Sequence, residues 1–170
     1  FANDDFFNVS MTLTLMGSPT SPRKEAGFLL STIGGDGQFI VNTDAHEIVA
    51  FGGPLPFYAF PATFFSGSTI TLGMSYFLDS NTGLRSIVYS ANGVNSPVLA
   101  LSNLEQGIIS GSTLGGYFQI VNAPDPNNSG IAVFQNMNIV AIPEPTAFAL
   151  LSLGVLPLGL MLRRRQSNRS

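Results

Sequence analysis

Residues 69–78 read TITLGMSYFL. Ile70, Leu72, Met74, Tyr76 and Leu78 alternate with Thr69, Thr71, Gly73 and Ser75. A strand turns successive side chains to opposite faces, so this period of two puts the apolar set on one side and the small polar set on the other. A helix would need apolar residues every three or four positions, and this stretch does not supply them. It reads as a strand with one buried face. The same pattern recurs near the start, where Val9, Met11, Leu13 and Leu15 alternate with Ser10, Thr12 and Thr14.

Shorter runs of the same kind predict further strands at 27–33, 38–42, 48–51, 84–90, 98–102, 107–110, 117–121 and 131–142. Turn-forming residues separate them: Gly34-Gly35-Asp36-Gly37, Asp79-Ser80-Asn81-Thr82-Gly83, Asn92-Gly93, and a Pro/Asp/Asn-rich run at 123–130. Each can place glycine or asparagine where the backbone must reverse. About ten short strands, frequent turns and no sustained helical period predict an all-β domain, an antiparallel β-sandwich of jelly-roll type, over residues 1–140.

Charge narrows the function classes. Residues 1–145 hold all ten acidic residues, and their only basic ones are Arg23, Lys24 and Arg85, for a net charge of −7. Nucleic-acid binding needs clustered Lys and Arg, so no nucleic-acid partner is expected. The absence of cysteine removes disulfides and thiolate metal sites. With 13 charged residues among those 145, the body falls well below the roughly 25–35% charged surface that keeps a small domain freely soluble, which favours contact with a partner.

The C-terminus differs in kind. Thr146 to Leu162 is an uncharged, largely apolar run of 17 residues, about 25 Å long as a helix. Arg163, Arg164 and Arg165 follow it directly. An apolar span with a basic flank predicts a single transmembrane helix (146–162) whose basic tail (163–170) stays in the cytoplasm, leaving the β domain on the extracytoplasmic side. The chain begins at Phe1 rather than Met, so removal of an N-terminal leader is expected. Residues 141–145 form the linker, and Pro143-Glu144-Pro145 keeps it extended.

A Pro-Glu-Pro triplet, an apolar span and a terminal basic cluster, in that order, resemble the PEP-CTERM sorting signal of exported bacterial proteins. The resemblance covers about the last 28 residues. It implies recognition by an exosortase, with cleavage near Pro143–Pro145, in bacteria that often make exopolysaccharide.

Candidate chemistry is sparse. His46, the only histidine, sits in Thr43-Asp44-Ala45-His46-Glu47 with no nucleophile motif to serve, and reads as a turn residue. Gly34–Gly37 lacks the lysine of a phosphate loop. Asp36, Asp44 and Glu47, or Asp125 with Asn127, could meet around calcium, but no calcium-loop spacing is present. No catalytic residue, cofactor or metal is assigned, and the chain is not expected to be an enzyme. The unusual stretch is GPLPFYAFPATFF, residues 53–65. Its prolines bar a central strand. Phe57, Tyr58, Phe60, Phe64 and Phe65 either plug one end of the sandwich or form a docking surface for a partner or a bilayer.

Three functions follow. The leading expectation is a non-catalytic, membrane-anchored structural subunit of a larger bacterial membrane complex, such as a respiratory or photosynthetic one. Its partners would be the bilayer and other membrane subunits. The alternative is an exosortase-processed protein of the cell surface or exopolysaccharide matrix. A carbohydrate-binding module stands third, because one histidine and no tryptophan offer little for a sugar platform.

Overall fold

The computed structural model describes residues 5–102, 109, 111–121 and 128–142. Eleven strands occupy them: β1 (Phe6–Ser18), β2 (Lys24–Thr32), β3 (Gly35–Asn42), β4 (Ile48–Phe51), β5 (Tyr58–Ala59), β6 (Thr69–Leu78), β7 (Arg85–Ala91), β8 (Val94–Asn95), β9 (Leu99–Ala100), β10 (Thr113–Ile120) and β11 (Ser129–Ile142). They form two antiparallel sheets, one in the order β11-β1-β6-β7-β8 with β9 also on β7, the other in the order β10-β2-β3-β4-β5. No helix among the described residues is long and apolar enough to cross a membrane.

The alternation that predicts the strands also builds the core. Met11, Leu13, Leu15, Leu72, Met74 and Tyr76 point inward from the first sheet. Ala26, Phe28, Leu30, Phe39, Val41 and Ala50 meet them from the second. Aromatic rings join the layers: Phe39 lies 5.1 Å from Tyr89 and 5.9 Å from Phe60. Burial of each large side chain is worth about 1.5–3 kcal/mol, so these rings and leucines are the main stabilising term.

Local chemistry makes the turns. Asn92 and Gly93, with φ of 49° and 80°, take the two left-handed positions of the β7–β8 hairpin, the conformation Asn-Gly adopts with least strain. In the β6–β7 loop the Asp79 carboxylate accepts from the Asn81 N–H (3.0 Å) and the Thr82 hydroxyl (3.0 Å). Those bonds, the backbone one first, lower its pKa.

Several boundaries differ from the sequence expectation. The β2–β3 turn falls on Ile33 and Gly34, one step earlier than Gly34–Gly37, so Ile33 stands at the tip and Gly35–Gly37 pair within β3. Of the strand expected at 98–102 only Leu99–Ala100 pairs, and the run expected at 107–110 lies outside the described residues except Ile109, which is buried. β11 continues through Ile142, opposite Phe6, so residues 141–142 belong to the sandwich rather than to a linker. Pro143, Glu144, Pro145, the 146–162 span and Arg163, Arg164 and Arg165 lie outside the described residues.

Candidate functional site

In β2 the even positions Ala26, Phe28 and Leu30 enter the core, which turns Glu25, Gly27 and Leu29 to the outer face. Register brings others beside them. Glu25 stands opposite Asn42 of β3 and Gln119 of β10. Gly27 is opposite Ile40 and Tyr117, and Leu29 opposite Gln38. Gln38 in turn faces Phe51 of β4. This outer face carries a groove of about 570 Å³ lined in part by Arg23, Glu25, Gln38, Asp44, Phe51 and Tyr117. Ile40 and Val49 pair with each other on the same sheet and are buried.

Arg23 is the electrostatic centre. Its Nε donates to Asp44 Oδ1 at 3.0 Å, and its terminal nitrogens lie 3.9 Å from Glu25 and 3.8 Å from Glu47. Asn42 closes the array: its Nδ2 donates to Glu47 Oε2 (2.7 Å) and its Oδ1 accepts the Glu47 N–H (3.1 Å). The Tyr117 hydroxyl donates to Glu25 Oε1 at 2.8 Å and also meets the side-chain amide of Gln119. Desolvation, then the Glu25 carboxylate, pushes the Tyr117 phenol up to about 12, so it stays protonated and donating at neutral pH.

The segment that carries Arg23 is fixed from below. Lys24, wholly buried, sends its ammonium to the carbonyls of Pro19 and Pro22, the latter at 2.9 Å. Thr43 ties the same segment to β3 by donating to Thr20 O (2.7 Å) and accepting the Lys24 N–H (3.1 Å). Arg23 is thereby presented on a braced segment rather than a free one.

The residues singled out by sequence are dispersed. Phe60 and Phe64 are buried in the core, where Phe60 stacks on Phe39. Tyr58 packs edge-on against Phe60 at 4.9 Å and is half-buried. Phe57 and Phe65 alone stand out, at 71% and 58% exposed. The loop is held to the other sheet by Tyr89, whose hydroxyl donates to Pro56 O at 3.0 Å. His46 takes a left-handed conformation (φ 59°). Its Nδ1 lies 3.0 Å from the Phe64 carbonyl and its ring 5.2 Å from that of Phe65. It braces the aromatic loop.

Asp36 accepts a hydrogen bond from Ser31 (2.7 Å), away from Arg23. Asp44 and Glu47 do come together, but around a guanidinium that occupies the place a cation would take. No group of three or more acidic, histidine or cysteine residues poised for a metal occurs among the described residues. Asp125 and Asn127 lie outside them.

Sequence reading missed Arg23, Glu25, Gln38 and Tyr117. The usable signal was weak: a glutamate and a glutamine at outward positions of otherwise apolar strands.

The class that these sheets define is the antiparallel β-sandwich. Among solved structures, sheep galectin-11 in complex with glycerol matches at a TM-score of 0.49 with 13% identity, over 82% of this chain and 93% of that one. A family 18 polysaccharide lyase, aly-SJ02 r-CATD, matches at 0.48 with 15% identity, over 82% of this chain and 73% of that one. No protein-family model matches the sequence, and no curated protein matches it.

Proposed function

We propose that the domain is a non-catalytic carbohydrate-binding module whose ligand lies in the groove on the outer face of the β10-β2-β3-β4-β5 sheet. The observation that carries this is the joining, in one groove of about 570 Å³, of a guanidinium–carboxylate–amide array with two rings, Tyr117 and Phe51. A sugar ring presents hydroxyls that both donate and accept along its rim, and C–H groups on its faces. Arg23 and Tyr117 supply donors, Glu25 and Asp44 supply acceptors, and Gln38 supplies both. The rings supply an apolar surface, the part a tryptophan would otherwise play. The volume falls within the roughly 300–1,000 Å³ of small-molecule sites.

Binding rather than catalysis is favoured by the state of the groups. Tyr117 holds its proton to about 12, which makes it a poor general base at neutral pH. His46 is engaged in bracing the aromatic loop. The membrane-complex reading drew on the C-terminal tail, the low charge of the body and the aromatic loop; of that loop's five rings, Phe60 and Phe64 are buried in the core.

The C-terminal pattern supports display of this module outside the cell. It would be anchored by 146–162, or released near Pro143–Pro145 by an exosortase to the cell surface or exopolysaccharide matrix. Intact mass of the protein from its own membranes separates those two fates.

The function is tested by calorimetric titration of the full chain with a panel of neutral, acidic and amino-sugar oligosaccharides. Binding to one class, weakened at least tenfold by Arg23→Ala and by Tyr117→Ala, is expected. Binding to no carbohydrate, or binding that ignores both substitutions, refutes it.

A further inference from the structure

We infer that the β11 side of the sandwich is a pairing surface for a second copy of this chain, with β11 of one copy adding antiparallel to β11 of the other. The inference is independent of the carbohydrate groove, which lies on a sheet face.

β11 is the longest strand, with 14 residues, and among the described residues it pairs only with β1. Among the described residues no strand pairs with its other edge, where a row of backbone donors and acceptors is presented. Natural edges of this kind are blunted by charge, by proline or by shortness. Ser129–Ile142 carries no charged residue and no proline. Its one irregularity is a bulge: Ser10 pairs with Asn138 but Thr12 with Gln135, and Asn136 takes φ 51°.

The bulge shifts which residues face inward. Before it Phe134 and Ala132 stand opposite Leu13 and Leu15, partly buried against the core. After it the residue opposite Val9 is Ile139. Val9 is buried, yet Ile139 on the same side is 46% exposed. Ile139 is thus left partly open on the side of the strand that earlier in β11 faces the core. Ile131, Met137, Val140 and Ile142 are exposed along the same strand.

β10, the edge of the other sheet, lies on this flank too. The Phe134 ring sits 3.4 Å from the position a Cβ of Gly116 would take. β10 likewise contains no charged residue.

Charge selects the occupant. All the acidic residues of the chain lie off β10 and β11. Two copies of a body with net charge −7 repel one another wherever their carboxylates face, and this uncharged flank is where they can meet without that opposition. Antiparallel pairing of one strand with itself satisfies a two-fold axis, the commonest symmetry of soluble oligomers. The size is adequate. At about 3.3 Å per residue β11 is roughly 46 Å long. A sandwich flank about 20 Å thick then offers about 900 Å² per copy, against roughly 800 Å² for a stable interface.

The test uses the full chain in detergent, sized by sedimentation and light scattering, with single substitutions Val140→Lys and Ile139→Lys on the flank and Phe57→Lys beside the opposite edge strand β5. A dimer is expected whose dissociation constant rises at least about 100-fold with either flank lysine, since each places charge in an interface that otherwise has none, and is unmoved by Phe57→Lys. Circular dichroism confirms that the variants fold. Because the chain has no cysteine, single cysteines placed along 131–142 report register: disulfide-linked dimer at one or two positions around the axis is expected. A dimer indifferent to the flank lysines, or cross-linking spread evenly along the strand, overturns the inference. A monomer whose β11 amides are protected from exchange also overturns it, since another segment of the same chain would then be the cover.

Discussion

Gly27→Ala is the most exacting perturbation of the site, because the obstacle is backbone. A Cβ at Gly27 would lie 2.1 Å from the carbonyl oxygen of Phe39 and 2.6 Å from the Cα of Ile40. Neither can rotate away as a side-chain tip could, so β2 and β3 must separate by about 1 Å to restore van der Waals distance. Overpacking of this kind costs about 1–3 kcal/mol, and weakening one or two ladder hydrogen bonds adds about 1 kcal/mol each. The expected loss is about 2–5 kcal/mol, a large part of the roughly 5–15 kcal/mol that holds a domain folded. Gly115 of β10, two residues along from Tyr117, supplies the control. Nothing lies within 4 Å of its Cβ position, so Gly115→Ala should be neutral or stabilise by up to about 1 kcal/mol through the unfolded chain. Urea unfolding followed by circular dichroism reads both, with a fall in midpoint of at least about 1 M for Gly27→Ala. Tyr117 stands directly opposite Gly27, so ligand affinity should fall in the folded fraction as well. A Gly27→Ala protein within about 0.5 kcal/mol of the parent would refute the strand spacing on which the groove is built.

Arg23→Gln should lower stability by no more than about 1 kcal/mol, because its ion pairs are partly solvated; the loss should shrink as salt screens the three carboxylates left together, read as melting temperature at low and high ionic strength. Tyr117, with its phenol raised from 10.0 to about 12, contributes stability that is complete below pH 10 and is lost as pH rises through about 12; Tyr117→Phe should flatten alkaline unfolding in that window, and an unchanged profile would dismiss the burial and the Glu25 contact that together raise it. Lys24→Met keeps the stem but leaves the Pro19 and Pro22 carbonyls without their donor, for a loss of about 1–3 kcal/mol. Lys24→Ala should cost more, since the stem fills the space beside Gly17 and Gly130. Equal losses in denaturant titration would mean that only the charge matters.

Much of the architecture was legible locally. The alternation in 69–78 and 9–15 marked the inward faces of β6 and β1, and Asn92-Gly93 and Asp79–Gly83 marked the hairpins. The prolines at 54, 56 and 61 confined the aromatic stretch to an edge, where β5 has two paired residues. The division of that stretch was not legible, since Phe60 and Phe57 are alike in sequence and differ only in whether Phe39 is there to receive the ring.

The site was legible hardly at all. Arg23, Asp44 and Tyr117 are brought together by the register of three strands, and Tyr117 meets Glu25 across 92 positions of chain. The exposed flank of β11 was hidden in the same way: 131–142 reads as an ordinary strand, and only the fold shows that, among the described residues, β1 alone pairs with it.

By itself the sequence determined which faces are apolar, where the chain turns and where positive charge is concentrated, because a strand's two-residue period and a turn's left-handed residues are properties of neighbours in the chain. The tertiary structure alone decided which strands lie side by side. Pairing is set by the sum of many weak cross-strand contacts and by packing between sheets, and a shift of one residue in register would have scattered the groove while leaving every local pattern intact.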